Sequence, residues 1–159
     1  MTAPIRIRDA TPADLPALMR IYFDAVHGLT DAHYDAAQQQ AWAPESLRHD
    51  EAHWRQRLGG REVVIGVCAD EPAGFCAFEV SGYVDLLFTH PDHARRGVAR
   101  RLLEEAEARM RRAGTLQARA GASRISRPLF ERLGYLAYGE ETTEVRGIRL
   151  PHTNMRKFL

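Results

Sequence analysis

Residues Val84–Arg112 read VDLLFTHPDHARRGVARRLLEEAEARMRR, and the rest of the chain is organised around them. Val84 to Thr89 is apolar and β-prone apart from one carboxylate, Asp85. Pro91 cannot donate to a sheet ladder and pushes His90 into an extended conformation, so a strand ends there. From 97 to 113, Val98, Leu102, Leu103, Ala106 and Met110 recur at a spacing that covers one face of a helix. Gly114 stands where a left-handed C-terminal cap belongs.

The chemical interest lies at the joint between strand and helix. The first backbone N–H groups of a helix have no internal acceptor, and with the helix dipole they form an anion site. Gly97 lacks a Cβ, so a phosphate can approach the backbone closely. Arg95, Arg96, Arg100 and Arg101 surround it with positive charge. The reading is a pyrophosphate cradle, set against the plainer one of a turn glycine followed by a solvated arginine face.

Outward from this stretch, Ile5–Arg8 alternates as a half-buried strand does. Thr11 is an N-cap with Pro12 at the first helical position, and apolar residues from Leu15 to Val26 predict a helix that Gly28 stops. His27–Pro44 is polar yet carries large aromatics. Glu45–Leu58 predicts one helix ending at Gly59–Gly60. Val63–Ala69 and Ala73–Val80 are strands around the turn Asp70–Glu71–Pro72, and Ser81–Gly82 leads into the strand Tyr83–Thr89. Leu116–Ala120 is a strand after the long helix. Arg127–Leu133 is a short helix, Tyr135–Arg146 a peripheral strand and Thr153–Phe158 the last strand. A strand–helix–strand unit requires a right-handed crossover and a parallel pair. The expected class is α/β (α+β): a mixed, mostly antiparallel sheet with helices on both faces, in one domain over residues 1–159.

Composition excludes several functions. A net charge of +1 argues against a general nucleic-acid or membrane binder. No stretch is apolar enough to span a membrane, and MTAPIRIRDA has no secretory run, so a cytoplasmic protein is expected. Cys68 and Cys76 sit on strands of one expected hairpin and are read as reduced core residues. The seven histidines are scattered and not grouped with the cysteines, so no metal is expected.

The run ThrHisProAspHisAlaArgArgGlyValAlaArgArgLeuLeu resembles motif A of the GNAT N-acetyltransferase superfamily, Gln/Arg-x-x-Gly-x-Gly/Ala after a strand. Gly97 matches the first glycine and Ala99 the Gly/Ala position; Ala94 departs from the usual Gln or Arg. SerArgIleSerArgProLeuPheGluArgLeuGlyTyr at 123–135 is similar to the late helix and following Gly-aromatic of that family. The resemblance covers nearly the whole chain. It implies a splayed parallel strand pair, with acetyl-CoA as donor. The acceptor is a primary amine or hydroxylamine of a small molecule, which attacks directly in a ternary complex.

By that resemblance, the strand Leu87–Phe88–Thr89 binds the pantetheine arm, and the N–H of Leu87 or Phe88 polarises the thioester. Arg95, Arg96, Gly97, Val98, Ala99 and Arg100 hold the diphosphate, while Ser126 and Phe130 complete the cofactor side. His33, Tyr34, Trp42 and Tyr83 form an aromatic acceptor lip. Asp85 is the base candidate, because a lone carboxylate among apolar neighbours is raised by desolvation, and it aligns with a glutamate of many relatives. The competing reading is a structural Asp bonded to a turn or an arginine. His90 and His33 are outside candidates. Phe130 stands where many relatives place an acid tyrosine, and Tyr135 and Tyr138 lie elsewhere in the pattern. A CoA-binding module without turnover, or a peptide N-acetyltransferase, are the alternative functions. An exposed edge on the C-terminal hairpin would permit a homodimer.

Overall fold

The computed structural model describes residues 3–159. Seven strands form one sheet in the order β1-β2-β3-β4-β5-β7-β6. They are β1 (Ile5–Asp9), β2 (Glu62–Cys68), β3 (Glu71–Glu79), β4 (Tyr83–Thr89), β5 (Gln117–Ala122), β6 (Leu136–Val145) and β7 (Ile148–Phe158). Every neighbouring pair is antiparallel except β4–β5. Five helices cover the sheet: α1 (Leu15–Leu29), α2 (Ala36–Trp42), α3 (Glu51–Leu58), α4 (Val98–Arg112) and α5 (Arg127–Arg132).

Two cores explain the sequence pattern of the central strands. Leu15, Leu18 and Ile21 of α1 and Trp54 of α3 pack on Ile65, Val67, Phe75 and Ala77. On the other face Val98, Leu102, Leu103, Ala106 and Met110 of α4, with Phe130 of α5, pack on Val64, Cys76 and Phe78. A strand covered on both faces has no polar side, so Val64–Cys68 and Ala73–Phe78 are buried without a break.

The architecture and the parallel pair follow the expectation, and several boundaries do not. Helix α1 runs through Gly28 to Leu29. A Cβ at Gly28 would lie 2.8 Å from Pro91 Cγ, so this glycine admits a neighbouring ring instead of ending the helix. Thr30 closes the helix by donating its hydroxyl to the Val26 carbonyl. The single helix expected over 45–58 is a short 3-10 turn, Glu45–Leu47, followed by α3, because Asp50 accepts from His53 N–H and starts a new helix. The β2–β3 turn is Ala69–Asp70, both left-handed, and Glu71 and Pro72 belong to β3. Strand β7 starts at Ile148 and includes Pro151, which is tolerated because β5 pairs only with 153–158. Cys76 lies opposite Val64, and Cys68 opposite Glu71, so the two cysteines do not face each other and both are free.

Arg8 on β1 grips Asp14 at the start of α1 with two N–H···O bonds of 2.8 and 2.9 Å. Chiefly through these bonds it holds the Asp14 carboxyl at about 2, below its ordinary 3.8. A depressed carboxyl stabilises the fold above its unfolded value and loses that contribution as pH falls through the folded one. Asp14→Asn is expected to cost about 1 kcal/mol at pH 7, given that Arg8 is partly exposed. Thermal melts should show wild type and variant converging between about pH 4 and pH 2.

Candidate active site

The site begins with a fault in the sheet. Ala77 lies opposite Leu86 and Phe78 opposite Val84, so Asp85 is the extra residue of a β-bulge. Beyond it, His90 N–H donates to Ala73 O at 2.8 Å. By alternation Leu86 and Phe88 turn their backbone groups towards β3, and Leu87 and Thr89 turn theirs to the opposite edge. Strand β5 runs beside that edge only at Tyr83 and Val84. The strands then part, and the N–H and C=O of Leu87 face a gap.

At the far end of β4 the chain prepares a helix start. Arg95 has φ 60° and Gly97 φ 85°, and Arg101 N–H is the first to find an intrahelical acceptor, Gly97 O, at 3.1 Å. The N–H groups of Val98, Ala99 and Arg100 therefore open outward without helical partners. Nothing lies within 4 Å of where a Gly97 Cβ would be. Left-handed backbone followed by free amides makes a concave anion site. Arg95 and Arg96 make no ion pair among the described residues, and Arg100 pairs with Glu104 at 2.8 Å.

A cavity of about 760 Å³ lies along this surface. It is bordered by Leu87, Phe88, Thr89, Arg95, Gly97, Val98, Ala99, Arg100 and Ser126, which is most of the expected cofactor set. Arg96 is not on it. Phe130 is not on it either: its ring is buried, packs at 4.9 Å on Tyr135 and borders a second cavity instead. His33, expected on the acceptor lip, borders this first cavity, because Arg124 Nη1 donates to the His33 carbonyl and ties its turn to the 123–126 loop.

The second cavity, about 510 Å³, holds Tyr34, Trp42, Tyr83 and Asp85 in its wall. Trp42, Leu87, Phe88, Ser123 and Ser126 border both cavities, so the two meet at the gap beside Leu87. Tyr34 is buried, and its hydroxyl accepts from Arg124 N–H at 3.1 Å. Tyr22 donates to the Trp42 carbonyl at 3.1 Å, and burial pushes its phenol up to about 12. Burial, reinforced by the Asp85 charge, also raises Tyr83.

Asp85 does not stand alone, contrary to the premise of an unpartnered carboxylate. Both its oxygens accept from Arg57, with Nη2 to Oδ1 at 2.9 Å, and Arg61 Nε lies 2.9 Å from Oδ2 without the alignment of a hydrogen bond. The Asp85 hydrogen bond holds Arg57 above its ordinary range. His90 is equally committed: its Nδ1 accepts from Asp92 N–H at 3.1 Å, so its Nε2 carries the proton towards Asp24 at 2.8 Å. His90 borders neither cavity.

The sequence reading missed Arg57, His53 and the Thr143–His152 part of the β6–β7 hairpin, which border the second cavity, and Arg61, which stands beside Asp85. One signal was present. Trp54 and Arg57 are three apart on α3, so that arginine shares the side of the buried tryptophan, whereas Arg61 lies beyond the helix end and no spacing marks it.

The sequence model of the Acetyltransferase (GNAT) domain matches residues 30–159. The chain belongs to the GNAT acetyltransferase family. The uncharacterized N-acetyltransferase YafP of Escherichia coli K12 is 31% identical over 155 residues, which are 96% of this chain and 95% of that protein. A GCN5-related N-acetyltransferase structure from Rhodopseudomonas palustris superposes with a TM-score of 0.93 at 30% identity, covering 100% of this chain and 98% of that one. The acetyltransferase yncA of Salmonella typhimurium, solved with acetyl-CoA, gives a TM-score of 0.66 at 24% identity over 97% and 93% of the two chains. This GNAT protein is an acyl-CoA-dependent N-acetyltransferase with acetyl-CoA as its donor.

The helix start yields a direct test. A side chain at Gly97 meets no protein atom but must sit at positive φ and project where a diphosphate would approach. Gly97→Ala is expected to cost about 1 kcal/mol of stability. Titration calorimetry should show acetyl-CoA binding about tenfold or more weaker, since close backbone approach is what glycine permits.

Proposed function

We propose that this GNAT enzyme transfers the acetyl group directly to the primary amine, or hydroxylamine, of a small molecule, with both substrates bound at once. The observation that carries this reading is the meeting of two cavities beside Leu87. The larger one runs to the anion site at the α4 start and suits the diphosphate and arm of acetyl-CoA. The smaller one is walled by aromatics. Its hairpin is tied down by Arg146 Nη1 to Ala41 O at 2.6 Å and Gln38 Nε2 to Arg149 O at 3.2 Å. That closure supports a small acceptor over a peptide.

In this reading the unpaired edge of β4 holds the pantetheine amides as an added strand would. The amine lone pair attacks the thioester carbon, and its oxygen becomes an oxyanion that Leu87 N–H stabilises. The C–S bond then breaks and its electron pair leaves on sulfur. A free thiol has a pKa of about 8.5, so the departing thiolate needs a hydrogen bond more than a strong acid. Ser123 and Ser126 offer it. Each accepts the other's backbone N–H, and their hydroxyls are 3.1 Å apart, so one hydroxyl proton is left over for the junction. Neither cysteine borders a cavity, and burial pushes the Cys76 thiol far up, which supports direct transfer over an acyl-cysteine.

Asp85 fits a positioning residue, because its oxygens are engaged by two guanidinium groups. It holds Arg57 in the cavity wall, and the amine proton leaves through water. No helix of the described residues is long and apolar enough to cross a membrane. Two free thiols and an intracellular donor support action in the cytoplasm.

A thiol-release assay with acetyl-CoA and a panel of small amines tests the function. Amine-dependent release of CoA with a matching acetylated product is expected. Acetyl-CoA binding with no release across the panel would leave a binding module. With the best amine in hand, Asp85→Asn should raise KM and leave the acidic limb of the pH–kcat profile in place. Loss of that limb would make Asp85 the base.

A further inference from the structure

We infer that the acceptor is an amine bearing an anionic group, and that Arg146 is its anchor. The inference rests on the acceptor reading of the smaller cavity and narrows it to a substrate class.

The cavity wall carries few charges, and they are unequally paired. Its charged lining residues are Arg57, Arg146 and Asp85. Asp85 is its one carboxylate, and Arg57 holds both oxygens while Arg61 stands 2.9 Å away. No acid in the wall is therefore free to receive an ammonium group. Arg146 is the opposite case. Among the described residues it has no acidic partner, and its one hydrogen bond is from Nη1 to the Ala41 carbonyl. A guanidinium carries five N–H donors in a planar fork, so most of those of Arg146 remain for a ligand.

Placement supports the role. Arg146 occupies a left-handed position, φ 49°, at the β6–β7 turn, and Gly147 beside it is left-handed too. The turn carries the side chain back over α2. Its charge lowers the Tyr22 phenol on α1 against the larger, opposite effect of burial, so the guanidinium field reaches across the cavity. Glu141 of the hairpin lies 3.4 Å from His152, and neither it nor Glu144 is part of the wall.

The wall thus has a cationic pole, an aromatic side formed by Trp42, Tyr34 and Tyr83, and a reacting edge at Leu87. A diamine would bring a second cation against Arg146. An amine with a carboxylate, or a comparable oxyanion, would pair with it in the fork geometry that arginine favours. Such a zwitterionic acceptor also suits a site whose only acid is already neutralised.

Three probes of one shape test this by titration calorimetry on the full chain: phenylacetate, phenylacetamide and phenethylamine. Phenylacetate should bind the wild type about tenfold or more tightly than the amide, the scale of a charge-assisted pair. Arg146→Gln should abolish that preference, and Arg146→Lys should keep part of it. Acetyl-CoA should bind the Gln variant as it binds wild type, which shows that the fold is intact. Equal binding of acid and amide, tightest binding of phenethylamine, or a preference unchanged in Arg146→Gln would overturn the inference. A protein that prefers phenylacetate but releases no CoA with any amine would keep the anion site and lose the transferase reading of the cavity.

Discussion

The structure depends on two strands that start together and then part. Strands β4 and β5 pair only at Tyr83–Arg119 and Val84–Ala120. A parallel pair that continued would consume the backbone groups of Leu87, and the gap beside it would not exist. The bulge at Asp85 makes the parting productive. One extra residue exchanges which backbone groups face the open edge, and it turns the Asp85 side chain towards α3. The hydrogen bonds lost along the fork have to be made up elsewhere, and the double coverage of β2 and β3 supplies that rigidity.

The same bulge explains why charge is stored in the wall of the second cavity. The Asp85 side chain is only 7% exposed, and a buried charge is tolerated when it is paired. Arg57 and Arg61 provide the pairing, and Arg61 is shared with Glu79 at 3.5 Å. Removing Arg57 from such a cluster costs more than the pair contributes, because the Asp85 charge stays buried. The cluster therefore fixes α3 against the bulge, and the aromatic wall with it: Trp54 of α3 meets Tyr22 at 4.7 Å, and Tyr22 meets Phe88 at 4.7 Å.

What could be read from sequence was local. The strand, the proline stop, the left-handed glycine and the amphipathic helix of 84–112 each report on neighbours a few residues away, and the structure keeps all of them. Gly28 misled because a helix-stopping glycine and a packing glycine look alike until the distant Pro91 is placed. The second cavity was the least legible part. Its wall joins α1, α2, α3, β4 and the β6–β7 hairpin, and the Arg57–Asp85 pair spans 28 residues. A lone acid on an apolar strand announces that it needs a partner. It does not announce which one, and the choice between a desolvated base and a paired anchor turns on that identity.

The tyrosines near the late helix show how burial removes a residue from chemistry. Tyr135 directly follows the Gly134 that ends α5, and it is the nearest phenol to Phe130 in the chain. Its hydroxyl donates to Glu107 at 2.9 Å, and Lys157, the only lysine, donates to the other Glu107 oxygen at 2.8 Å. Glu107 is buried on the face of α4 that meets the core, where a carboxylate persists only because both oxygens are satisfied. Burial first and Glu107 next drive the Tyr135 phenol far upward, so it stays protonated and donates to the carboxylate. Tyr135 thus serves the core that holds α4 down. With Phe130 unable to donate, the transfer proposed above leaves the departing sulfur to the serine pair and to the low basicity of its own thiolate.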